Sequence, residues 1–166
     1  MAHQPGAELF PIRPEATGTG LEGKAAIVTG AGRGLGATIA RKLSECGAKV
    51  VLGDLDAEAC ETNAAELDDA IGCRLDVTDA AEWADAVARC HDTFGGPHVL
   101  VNNAGLGLLQ PFEETSEETF DATMAVNVKG VFLGMQAVFQ SMKAQGGGSI
   151  VNISSSNGYV ASPEAG

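Results

Sequence analysis

Residues 25–54 read "AAIVTGAGRGLGATIARKLSECGAKVVLGD", and the reading of that stretch decides the fold. The apolar segment "AAIVTG" is a short strand that runs into a glycine-rich turn. In the following "GATIARKLSEC", with Leu35 before it, Leu35, Ile39, Ala40 and Leu43 recur at helical spacing. Gly47 is a natural helix stop, and "AKVVLGD" after it is a second apolar strand. Strands that are apolar almost continuously, with a helix between them, predict a parallel sheet covered on both faces.

The alternation continues outward from that unit. "AEACETNAAELDDA" reads as a short helix with an acidic exposed face, and "IGCRLDV" as a third strand. "TDAAEWADAVARCHDTFGG" has a Thr–Asp start, an apolar stripe through Trp83, Val87 and Phe94, and a glycine stop. "HVLVNNAG" is a fourth strand and "GSIVNISS" a fifth, with a long helical stretch from about Ser116 to Gln145 between them. Along it Phe120, Met124, Val128, Val131, Met135, Val138 and Met142 step by fours and threes, predicting one apolar face. Right-handed crossovers make the expected fold a doubly wound parallel sheet, Rossmann-like, in three α/β/α layers. Residues 1–22, rich in Pro, Gly and Thr, are expected to be a flexible lead-in, and residues 23–166 a single domain.

Composition narrows the function classes. A net charge of −12 and a pI near 4.5 oppose a nucleic-acid partner, whose phosphates the chain would repel. No apolar h-region opens the chain, and no apolar run is expected to approach the ~18 residues of a membrane span. Cys46, Cys60, Cys73 and Cys90 form no CxxC pair, and His3, His91 and His98 fall in no metal-ligand spacing, so reduced thiols and no metal are expected. The expected place is the cytoplasm.

The chemistry sits at the carboxyl ends of the strands, where open α/β sheets bind their ligands. In "TGAGRGLG", residues 29–36, the glycines would let backbone approach a pyrophosphate at the N-terminus of the following helix. Asp54 closes the second strand, where a carboxylate can take both hydroxyls of an adenosine ribose and repel a 2′-phosphate; as a turn residue in "GDLD" it would do neither. Asn127 lies beside Val128 on the apolar stripe, so its amide must find partners or cost ~1–3 kcal/mol. Ser155 follows the fifth strand; no histidine is placed to make it a hydrolase nucleophile, and no GxSxG elbow surrounds it.

Five motifs in order, "TGAGRGLG", "LDV" at 75–77, "NNAG" at 102–105, "NVKG" at 127–130 and "NISSSNG" at 152–158, make the chain from about Leu21 onward resemble the short-chain dehydrogenase/reductase family, classical type. The resemblance implies roles residue by residue. Gly30, Gly34 and Gly36 would form the cofactor turn, lined by Arg33 and Leu35. Asp54 and Leu55 would meet the adenosine ribose, and Asp76 and Val77 the adenine. Asn103, Ala104 and Gly105 would run beneath the ribose. Asn127 would hold a water in a proton relay, and Ser155 would bond the substrate carbonyl oxygen and support the charge developing there. The implied activity is NAD(P)-dependent hydride transfer between a secondary alcohol and a carbonyl, with NAD favoured over NADP through Asp54. The family also implies a homo-oligomer, dimer or tetramer, joined through the long helix. Non-catalytic binding of a dinucleotide is the alternative reading, and the extended branch of the family fits less well because its turn reads GxxGxxG.

One part of the family pattern is missing. The family's acid/base is a Tyr followed four residues later by a Lys, because a phenol takes a proton near neutral pH only beside a cation. The only tyrosine here is Tyr159, four residues past Ser155, and Pro163 stands where the Lys belongs. The family spacing from Ser155 puts the Tyr just beyond Gly166. The expectation is therefore a chain that lacks the C-terminal part of the fold, leaves its fifth strand as a bare apolar edge, and has no dehydrogenase turnover alone.

Overall fold

In a computed structural model the described residues are 20–107 and 111–155. All but the last three residues of the expected lead-in, and also Gly158, Tyr159 and Pro163, lie outside them. The elements run in chain order as β1 (Ala25–Thr29), α1 (Gly34–Glu45), β2 (Lys49–Asp54), α2 (Ala57–Ala65), β3 (Ala70–Arg74), α3 (Ala80–Phe94), β4 (Val99–Asn102), α4 (Glu117–Met124), a π-helical turn (Ala125–Gly130), α5 (Val131–Ala144) and β5 (Ser149–Asn152). The five strands pair in parallel in the order β3-β2-β1-β4-β5, so the expected doubly wound, Rossmann-like sheet is what forms.

Strand alternation distributes the core between two faces. Ile27, Val51 and Leu100 point to one side, where Trp83, Ala86 and Cys90 of α3 and Val138 and Met142 of α5 cover them. Val28, Val50, Leu52 and Val101 point to the other, beneath Ala40 of α1 and Cys60 and Ala64 of α2. This is why β1 and β2 lack polar alternation: both of their faces are buried. The helix ends follow the local signals. Asp79 caps α3 through the N–H groups of Ala81 and Glu82, Ser116 caps α4 through Thr119 N–H, and α1 closes with Gly47 N–H on Ser44 O and Ala48 N–H on Leu43 O.

Two expectations about apolar faces need correction. Leu35 is exposed, because it stands in the first turn of α1, past the end of β1. The long helix does not present the single stripe predicted for it: Phe120, Met124 and Val128 are exposed, and its buried line is Gly130, Gly134, Val138 and Met142. The π turn is the physical reason, since its i→i+5 pairing adds a residue to one turn and rotates the downstream face. Gly134 lets the helix sit close; a Cβ there would lie 2.6 Å from Asn102 Oδ1 and from the Trp83 ring. The combined helix Glu117–Ala144 is also long and apolar enough, by length and composition, to cross a bilayer, although Asn127, Lys129, Gln136 and Gln140 keep it from being the unbroken apolar run that was not expected. Its Gly130–Met142 line is seated on the sheet and α3.

β5 is paired along its length with β4 yet exposed at every position, with Ile150 at 37% and Val151 at 43%. The apolar edge expected of this strand is present.

Candidate functional site

The turn after β1 is stapled to the end of β4. The Thr29 hydroxyl, buried, accepts the N–H groups of Asn103 at 3.0 Å and Ala104 at 2.9 Å. The Asn103 amide donates in return to the carbonyls of Thr29 at 2.9 Å and Gly30 at 3.3 Å. The three glycines singled out from the sequence then have different physical reasons. Gly30 has a φ of 65° and would place a Cβ 2.9 Å from Ala104 Cα, while a Cβ on Gly36 would collide with the Gly30 carbonyl. Those two allow close packing of the chain on itself. Gly34, with a φ of 60°, faces open space. Arg33 caps α1 in extended backbone without a side-chain hydrogen bond, so among the described residues no side chain caps the first N–H groups of α1.

Asp54 stands at the end of β2 with both oxygens held by backbone. Gly32 N–H donates to Oδ2 at 3.0 Å, and Asp56 N–H donates to Oδ1 at 3.1 Å. The Asp76 carboxylate closes a turn on Thr78, accepting its hydroxyl at 2.7 Å and its N–H at 2.9 Å; those bonds hold the carboxyl below its usual range. The backbone of the same loop is clamped by α3, where Glu82 accepts Asp76 N–H at 2.6 Å and Trp83 Nε1 donates to Val77 O at 3.0 Å. Lys129 reaches the loop from the π turn, donating to Thr78 O at 3.1 Å.

Asn127 sits in that π turn. It is exposed rather than part of a buried stripe, which corrects the sequence argument for its need of partners, but the partners exist. Its Oδ1 accepts Leu106 N–H at 2.8 Å and its Nδ2 donates to Leu106 O at 2.8 Å, so the amide reads the backbone after β4 as a strand would. Ser155 is exposed, three residues beyond β5, where Ile153 N–H still donates to Asn102 O.

A cleft of about 390 Å³ at the carboxyl ends gathers Gly30, Arg33, Asp54, Leu55, Asn103, Ala104 and Gly105, together with Leu75, Leu106 and Val126. Gly34, Leu35, Gly36, Asp76, Val77, Asn127 and Ser155 do not line it. Asn127 touches it through Leu106, and Gly36 through Gly30. Asn63, Glu82 and Trp83 are site residues that the sequence did not single out as such, and Thr29 and Gly32, although inside the quoted turn, had no role of their own there. Thr29 had a signal, a lone polar residue ending an apolar strand. Asn63, whose amide bonds the turn carbonyls from α2, had none. Burial pushes the Cys60 and Cys90 thiols up to about 12 and raises Cys73, so these cysteines offer no thiolate near neutral pH.

Residues 24–166 match the short chain dehydrogenase family. The chain belongs to that family. It is 45% identical over 139 residues to the 2,5-dichloro-2,5-cyclohexadiene-1,4-diol dehydrogenase LinX of Sphingobium indicum, covering 81% of this chain and 56% of that protein. It is 47% identical over 141 residues to a 3-alpha-(or 20-beta)-hydroxysteroid dehydrogenase of Mycobacterium bovis, covering 84% and 54%. The crystal structure of apo LigO from Sphingobium sp. strain SYK-6 superposes with a TM-score of 0.82 at 34% identity, over 87% of this chain and 56% of that one. The short-chain dehydrogenase sequence described here thus spans about half the length of the relatives it matches.

Membership in the family implies a nicotinamide cofactor. The residues present fit one. The uncapped start of α1 and the open space at Gly34 suit a pyrophosphate, and the Asp54 carboxylate lines the cleft within which a ribose would lie.

Proposed function

We propose that the protein containing this chain is an NAD-dependent dehydrogenase that interconverts a secondary alcohol and a carbonyl. The observation that carries the cofactor choice is the Asp54 carboxylate, lining the cleft and fixed by Gly32 and Asp56 N–H. A carboxylate so held accepts hydroxyl protons of an adenosine ribose and opposes a 2′-phosphate. Arg33, in the same cleft, is among the described residues the one cationic lining group, and its charge would favour NADP instead.

When bound, the nicotinamide supplies the site that takes or gives hydride. The N–H groups of Gly34, Leu35 and Gly36 would hold the pyrophosphate, Asp76 and Val77 would flank the adenine, and Asn103, Ala104 and Gly105 would support the ribose. Ser155 would bond the substrate oxygen, and Asn127 would hold a relay water. The relatives' names, a cyclic diol and a hydroxysteroid dehydrogenase, support an alcohol as substrate. The proton-transferring Tyr and Lys are expected outside residues 1–166, so this chain alone should give no turnover. We further assign the protein to the cytoplasm, where its four free cysteines suit the redox poise, and to a homo-oligomer built on the exposed phenylalanines of α4 and α5.

Two measurements on the full-length protein test the reading. Titration should give NAD binding about tenfold or more tighter than NADP, a difference of about 1.4 kcal/mol. Ser155→Ala should lower kcat by ~10²-fold with NAD affinity nearly unchanged. Equal affinities would remove Asp54 from its role, and turnover at the parent rate would remove Ser155. Cofactor binding with no turnover on any secondary alcohol would favour the binding-module alternative.

A further inference from the structure

Asn63 lies in the last turn of α2, half-buried on a helix rich in alanine, with Glu58 and Glu61 its only acidic residues. Its Nδ2 donates to two carbonyls of the glycine turn, Ala31 O and Gly32 O, both at 3.0 Å. Gly32 N–H is in turn the donor to Asp54 Oδ2, and a Cβ on Gly32 would lie 3.1 Å from that carboxylate. The other side of the turn is tied down separately, by Ala31 N–H on Gly53 O at 3.2 Å. α2 is a firm platform for this contact, because Gly72 of β3 allows its backbone to lie directly against Cys60 and Glu61.

We propose that Asn63 is a positioning residue for cofactor discrimination, acting through Gly32 on Asp54. The inference rests on the assignment of Asp54 to the adenosine ribose. Gly32 carries no side chain, so the peptides on either side of it rotate freely unless something holds their carbonyls. Both protons of the Asn63 amide do so, which keeps the Gly32 N–H on Oδ2 and the carboxylate turned to the cleft. Without Asn63 the Gly32 N–H can leave Oδ2, the carboxylate is then held only by Asp56 N–H and can turn about that bond, and the barrier to a 2′-phosphate falls with it.

The test uses full-length protein carrying Asn63→Ala or the near-isosteric Asn63→Asp, which places an acceptor where the donor stood. NAD and NADP are titrated at equilibrium, and amide hydrogen exchange at Gly32 is read without cofactor. Both variants should lose about tenfold in NAD affinity with little change for NADP, so the NAD/NADP preference falls about tenfold. Gly32 exchange should quicken in the cofactor-free protein. A purely structural role would lower melting temperature and weaken both cofactors alike, as a Val138→Ala control in the distant core should do. An unchanged preference in both variants overturns the inference, whether or not Gly32 exchange quickens. Parent protein that binds NAD and NADP equally overturns the Asp54 assignment itself, and this inference with it.

Discussion

β1 and β5 are both short, apolar and fully registered in the same parallel sheet, yet Ile27 is 0% exposed and Ile150 is 37% exposed. The backbone ladder is therefore indifferent to what covers a strand. Burial comes from helices: α1 and α2 on one face of β1 and α3 and α5 on the other. The candidate site divides along the same line. The side proposed for the adenosine, between the ends of β3, β2, β1 and β4, is locked by side-chain bonds from Thr29, Asn103, Glu82 and Trp83. The side proposed for the substrate, at Ser155, follows the exposed edge strand.

The largest effect expected within this contrast is on the locked side. Gly36→Ala should cost ~4 kcal/mol or more, or prevent folding, because the new Cβ meets the Gly30 backbone. Gly34→Ala should cost only about 1–2 kcal/mol, the penalty for a left-handed residue facing open space. Urea unfolding of both variants checks this, and equal losses would mean that the turn is not closely packed.

A matched pair measures the two strands directly. Ile27→Ala should destabilise by about 3–4 kcal/mol through the cavity it leaves, and Ile150→Ala in this chain by less than about 1 kcal/mol. In a longer polypeptide that covers β5, the second value should rise toward the first. Similar costs for the two in the 166-residue chain would show that β5 is covered there by self-association, detectable as a concentration dependence.

The smallest expected effect concerns the other end of the sheet. His98 Nδ1 accepts Ala25 N–H at 3.1 Å, while His98 N–H donates to Ala25 O at 2.7 Å. Burial, and then the nearby Lys24 charge, push the His98 pKa below its ordinary value. The folded protein then holds fewer protons than the unfolded chain just below pH ~6.5, so stability is complete above that pH and declines as the pH falls toward the lowered folded value. His98→Gln should flatten this slope in urea midpoints measured across the window. A slope unchanged by the substitution would assign the proton uptake elsewhere.

Most of the frame was legible in the chain because its causes are local. Apolar runs marked the strands, Asp79 and Ser116 announced helix starts, Gly47 and Gly95 announced stops, and right-handed crossovers made a doubly wound sheet the expected fold. Asp54 and the turn glycines could be named from their positions at strand ends, and Asn103 only from the family resemblance. What local pattern could not supply were contacts made across long stretches of chain. The π turn that turns Asn127 onto Leu106, the rotation that hides Gly130 and Gly134 while exposing Phe120 and Val128, and the reach of Asn63 to Ala31 and Gly32 all depend on how one element is seated against another. A helical period gives the spacing of side chains along an axis but not the rotation of that axis against the sheet. That rotation follows from packing, and here a glycine in α5 against Asn102 and Trp83 allows the close seating.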